Sequence, residues 1–154
     1  FAKGWAMTGW SAGYLVGREE VIKSSSALQS QSTSNVCSFA QRGAIAALQI
    51  DGKFFDQLNA KYDQRRKVLI NGIQEINGLY IFPPEGAFYA FPKLPNKSIS
   101  SVDFCNRAID DFGLVVVPGK VFGNDQCIRI SCAASTEKII DGLSRLKKAI
   151  INYY

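Results

Sequence analysis

Residues 127–132, Cys127-Ile128-Arg129-Ile130-Ser131-Cys132, alternate in side-chain character, and beyond them Ile139, Ile140, Leu143, Leu146 and Ile150 recur at helical spacing. A period of two belongs to a half-buried strand, and a period near 3.6 to an amphipathic helix. The junction therefore reads as a strand, with Ile128 and Ile130 on one face and Arg129 and Ser131 on the other, followed by a helix that packs on a sheet. Thr136 is the expected cap of that helix, with Glu137 in its first turn at the positive end of the helix dipole.

Working back along the chain, Leu114-Val115-Val116-Val117 reads as a buried strand stopped by Pro118-Gly119. Before it, Cys105, Ala108, Ile109 and Phe112 share one helical face, with Ser101 and Asp103 as candidate caps and Gly113 closing the helix. Strands over 79–82 and 87–91 are expected as a hairpin-like pair around Pro83-Pro84-Glu85-Gly86. The longest periodic segment, 53–76, places Phe55, Leu58, Tyr62, Leu69, Ile73 and Ile76 along one helical face and ends at Asn77-Gly78. Helices are also expected over 38–50 and from Arg18 to about Leu28; the polar run 29–35 between them is a loop or an exposed helix end. Residues 5–16, rich in aromatics and glycine, predict a small β-hairpin. The order of elements makes the fold class α/β of an α+β-like kind, helices packed on a small sheet, and leaves open whether that sheet is segregated or open.

A chain of 154 residues can bury roughly 70% of its unfolded surface. With 47% hydrophobic and 20% charged residues it reads as a folded protein rather than a disordered one. The net charge of +5 permits an anionic partner without requiring one, and Lys61, Arg65, Arg66 and Lys67 read as a solvated helix face rather than a nucleic-acid surface. The absence of histidine excludes Ser-His and Cys-His catalysis and the commonest zinc ligand. Cys37, Cys105, Cys127 and Cys132 form no C-x-x-C pair, so they read as reduced thiols of a cytoplasmic protein, with no metal expected. No apolar run approaches the length of a membrane span. The chain does not begin with Met and shows no signal-peptide run, so it reads as the middle of something longer.

Two residues invite chemistry. Lys3 lies among Phe1 and Trp5, where partial burial would favour a nucleophilic amine, although composition alone makes it a solvated charge. Arg129 is directed away from two aliphatic neighbours, and its natural mate is a carboxylate, either a ligand's or one of the chain's own. Phe88-Tyr89-Ala90-Phe91 reads as sheet core rather than a stacking surface. Gly119-Lys120-Val121-Phe122-Gly123 lacks the spacing of a phosphate loop.

Phe1-Ala2-Lys3-Gly4-Trp5-Ala6-Met7-Thr8-Gly9-Trp10 with Gly13-Tyr14 resembles the cofactor-lysine signature of the class I pyridoxal-phosphate aminotransferases. Gly86-Ala87-Phe88-Tyr89, Val115-Val116-Val117-Pro118-Gly119, Phe122-Gly123 and the R-x-S of Arg129-Ile130-Ser131 are similar to later motifs of the same family. The resemblance runs the length of the chain. It implies the C-terminal portion of a fold type I transferase: residues 1–17 as the end of the large cofactor-binding domain, 18–50 as connecting helices and interface loop, and 51–154 as the small domain. It implies pyridoxal 5'-phosphate as cofactor, an amino acid and a 2-oxo acid as substrates, and a homodimer, with neither membrane nor nucleic acid as partner. Lys3 falls on the Schiff-base position and Arg129 on the arginine that clamps the substrate carboxylate, while Ser32, Thr33, Ser34 and Asn35 resemble the interface loop near the neighbouring site. Ser11 stands where the family normally has the phosphate-binding arginine. The segments that the family places before the lysine do not occur here, so the chain is expected to be a fragment, either completed elsewhere or a non-catalytic remnant.

Overall fold

Ile128–Ser131 (β3) is the central strand of a three-stranded antiparallel sheet in the order β1-β3-β2, flanked by Tyr89–Ala90 (β1) and Val117–Pro118 (β2). The computed structural model describes residues 1–95 and 98–154, which divide into two compact units, residues 1–57 and 58–154.

In the first unit, Glu19–Ser32 (α1) and Ser38–Leu48 (α2) are helices, and Gly52–Gln74 (α3) begins there and continues into the second unit. α1 buries no residue, whereas α2 buries Ala40, Ala44 and Ala47 on one stripe. The polar run after Leu28 splits: residues 29–32 complete α1 as an exposed helix end, and the chain leaves the helix beyond Thr33, with Ser34 at a φ of 59°. The β-hairpin expected over 5–16 does not form. A 3-10 turn occupies Thr8–Trp10, because the amides of Trp5, Ala6 and Trp10 donate to the carbonyls of Phe1, Lys3 and Met7. Those bonds curl the chain locally and leave no ladder for a strand partner.

The second unit packs helices Ser101–Phe112 (α4) and Thr136–Tyr153 (α5), with the end of α3, on the sheet. Phe104, Cys105 and Ala108 of α4 meet Leu146, Ala149 and Ile150 of α5 in one cluster. Leu69, Ile70 and Ile73 of α3 meet Ile139 in a second, and Leu79, Ile130 and Leu143 pack against both. The apolar stripe of α5 is narrower than its spacing suggests, since Ile140 is 56% exposed, and Ile109 of α4 likewise faces outward. Leu143 is half-buried and seats on Gly72 of α3, where an added Cβ would lie 3.1 Å from Leu143 Cδ2. Leu143→Ala is expected to cost about 2 kcal/mol, the low end for a leucine truncation because the side chain keeps some solvent contact. A chemical denaturation midpoint measured against wild type reads that loss.

Several expected boundaries move for identifiable reasons. Residues 79–82 and 87–91 do not pair as a hairpin; Tyr80 bridges Lys93 in isolation, and β1 pairs with β3 instead. Pro83, Pro84 and Pro92 lack ladder donors, and Ala87 adopts a φ of 58°. The strand expected over 114–117 shifts to Val117–Pro118, because the Leu114 amide closes α4 on Ala108 O; proline is tolerated in β2 as an edge strand. Ser100, not Ser101 or Asp103, caps α4, and Ser135, not Thr136, caps α5. Ser101 is instead fully buried, and both its amide and its hydroxyl donate to Asp125 Oδ1, at 3.0 and 2.6 Å. Gly113 ends α4 as expected, at a φ of 60°. No helix among the described residues is long and apolar enough to cross a membrane.

Candidate active site

Lys3 belongs to a turn whose two tryptophans anchor it on α2. The Trp5 indole donates to Ala47 O at 2.7 Å, and its ring meets Phe1 at 5.0 Å and Phe55 at 5.6 Å between centroids. Trp10 lies over Gly43 of α2, where a Cβ would stand 2.8 Å from Trp10 Cη2, so only glycine admits this approach. Met7 is buried between them in sequence, while Lys3 itself is exposed. The partial burial considered for Lys3 is therefore absent. Ser11 ends the 3-10 turn in the left-handed region at a φ of 48°, its side chain exposed. The Thr8 hydroxyl donates to Ala2 O at 3.4 Å.

Ser32, Thr33, Ser34 and Asn35 are all exposed at the end of α1. The amides of Thr33 and Ser34 both donate to Gln29 O, and the Asn35 side chain donates to Val36 O at 3.3 Å. These bonds give the segment a defined local shape.

Arg129 occupies the middle of β3, opposite Val117 of β2. Its guanidinium carbon lies 4.3 Å from the Tyr89 ring centroid and 4.4 Å from that of Phe122. Among the described residues it forms neither an ion pair nor a side-chain hydrogen bond, so the chain's own carboxylates are not its mates. Tyr89 stands opposite Ser131, which makes it a diagonal neighbour of Arg129 on the same sheet face. The aromatic run is thus divided: Ala90 is core, Phe88 packs against the second cluster, and Tyr89 faces the arginine.

Gly119–Phe122 is a 3-10 turn, and the Lys120 amide donates to Ser101 Oγ at 3.2 Å. Hydrogen bonds from the Ser101 side chain and backbone hold the Asp125 carboxyl below its ordinary range. This network ties the turn carrying Phe122 to the start of α4. On the basic run of α3, Arg66 and Lys67 both reach Asp63 at 2.7 Å, and Arg65 lies over Tyr62. Burial pushes the Cys105 thiol up to about 11 and raises Cys127 and Cys132, whereas Cys37 is exposed. A cleft of about 640 Å³ in the second unit, between residues 113–116 and α5, is not lined by Arg129.

The family model described as aminotransferase class I and II matches residues 1–145. The chain belongs to that family. It is 35% identical to an aspartate aminotransferase of Pyrococcus horikoshii over 154 residues, covering 97% of this chain and 39% of that protein. An aspartate aminotransferase of Streptomyces avermitilis is 37% identical over 158 residues, again 97% of this chain and 39% of the relative. The crystal structure of the Rhizobium meliloti aspartate aminotransferase superposes with a TM-score of 0.89 at 34% identity, covering 97% of this chain and 40% of that one. The chain thus spans about two fifths of the length of the relatives it matches, and its fold is that of the fold type I enzymes.

The family implies pyridoxal phosphate as cofactor. The residues present fit its attachment: Lys3 offers a primary amine on an exposed, firmly seated turn, and Thr8 and Ser11 add hydroxyls. They offer the phosphate no guanidinium at position 11.

Sequence reasoning did not single out Gly43 and Ala47, which seat the lysine turn, or Tyr89 and Phe122 as neighbours of Arg129. The signal for Tyr89 was its parity with Ser131 across the sheet. Phe122 carried none, because its approach depends on how the 3-10 turn folds back.

Proposed function

We propose that this chain supplies the cofactor-lysine turn and the substrate-carboxylate arginine of an aminotransferase that moves an amino group between an amino acid and a 2-oxo acid. The observation that carries the reading is the seating of the Lys3 turn on α2 by Trp5 and Trp10. When bound, pyridoxal phosphate supplies an electron sink for the substrate's α-carbon. Lys3 holds the cofactor through Nζ and afterwards moves the proton at the reacting carbon as general acid and base. Arg129 orients the substrate carboxylate by a bidentate, charge-assisted contact. Ser11 meets the phosphate with a hydroxyl in place of a cation. In the same reading residues 1–17 end the large domain, 18–50 connect, and 51–154 form the small domain. Residues 32–35 take part in a homodimer, and the enzyme acts in cytoplasmic amino acid metabolism.

A second reading, a folded or dimerising polypeptide without catalysis of its own, is favoured by Ser11, since a hydroxyl replaces a strong charge-assisted anchor. The two readings part in a trapping experiment. Added pyridoxal phosphate is reduced onto the protein with borohydride and mapped by peptide mass spectrometry. Label is expected on the Lys3 peptide and lost from Lys3→Ala, with turnover of an amino acid appearing only when the portion that relatives carry ahead of the lysine is also supplied. Label scattered over surface lysines alike in wild type and Lys3→Ala would favour the second reading.

A further inference from the structure

Two aromatic rings, those of Tyr89 and Phe122, have their centroids within 4.4 Å of the Arg129 guanidinium carbon, and no carboxylate among the described residues pairs with it. We propose that Tyr89 and Phe122 are positioning residues of the carboxylate site: they clamp the guanidinium by its faces and present only its in-plane N–H edge to a ligand. The proposal rests on Arg129 being the carboxylate arginine and adds what orders it.

An arginine side chain loses rotamer freedom when it binds, and planar N–H donors recognise a carboxylate only edge-on. Arginines are commonly ordered by an internal acid, but such an acid competes with a ligand carboxylate for the same donors. Ring faces attract the cation without occupying an N–H, so this clamp orders Arg129 and leaves its fork available. The clamp is itself supported. Phe91 meets Phe122 edge-on at 6.1 Å, Phe88 packs against Tyr89 at 4.4 Å, and the Ser101–Asp125 bonds hold the turn that carries Phe122. Phe122 is 48% exposed, so its substitution does not open the core.

The test uses the 154-residue chain labelled with ¹⁵N, the Arg129 Nε–Hε resonance as reporter, and propionate as the titrated carboxylate. In wild type the Hε signal is expected upfield of ordinary arginines because both rings shield it, and it should move on propionate addition. Phe122→Leu should lose much of the upfield shift and bind propionate about fivefold more weakly, the scale of ordering one long side chain at binding. Phe122→Tyr and Tyr89→Phe should retain both properties. In an Arg129→Lys background, where no planar fork exists, Phe122→Leu should leave propionate binding unchanged, which a merely structural role would not do. Unchanged affinity in Phe122→Leu, or the same relative loss in the Arg129→Lys background, overturns the clamp while leaving Arg129 as the carboxylate residue. Propionate binding undiminished in Arg129→Gln overturns the reading of Arg129 itself, and the clamp with it.

Discussion

Replacing Gly119 with alanine is expected to destabilise the chain by about 3 kcal/mol or more, at the upper end for overpacking a well-filled site. The added Cβ would overlap the carbonyl oxygens of Cys127 and Asn124 and stand 2.7 Å from the Cys127 carbonyl carbon. These are backbone atoms and cannot swing aside as a side chain would. Gly119 also donates to Cys127 O at 2.8 Å and accepts from the Asn124 amide, so the clash strikes the bonds that close the turn between β2 and β3. Relief would require β2 to part from β3, and Phe122 to leave Arg129 with it. Urea denaturation of wild type and Gly119→Ala gives the energetic loss. The Arg129 Nε–Hε resonance at low urea should show the displaced ring. A variant as stable as wild type would mean that residues 119–127 relax without cost.

Phe104→Ala is the other large effect expected, about 3–5 kcal/mol. Phe104 is fully buried on α4, with Tyr153 edge-on at 5.9 Å and Tyr154 at 6.3 Å. Truncation removes the Phe104 share of the contact between α4 and the end of α5 and leaves a cavity that the flanking backbone cannot fill. Tyr153 is held on its other side by a 2.5 Å hydrogen bond donated to Asp111 and by Arg107 over its ring, so it is not free to collapse inward. Burial, reinforced by Asp111, pushes the Tyr153 phenol up to about 12. Thermal and urea unfolding measured together should show a loss well above that of Leu143→Ala. Equal losses would place the weight of the core in the α3–α5 contact instead.

Sequence alone determined the elements whose periodicity is strong. The apolar stripes of α3, α4 and α5 and the alternation of β3 are visible because each buries a single face, and burial of one face imposes its period on the residues. It also displays the motifs that carry the family resemblance, and these single out Lys3, Ser11 and Arg129 as the candidate site residues. Caps were misplaced by one residue at Ser100 and Ser135, since adjacent serines and threonines offer the same local bond and the tertiary partner chooses between them. Asp125, far along the chain, claims Ser101. The false hairpin over 5–16 arose because aromatics and glycines suit a strand pair as well as a tight turn. Only the docking of Trp5 and Trp10 on the small residues of α2 decides for the turn. The surroundings of Arg129 were likewise a tertiary matter. Tyr89, Phe122 and Arg129 lie on separate segments, and the antiparallel register of β1 on β3, together with the turn after β2, brings both rings onto one guanidinium.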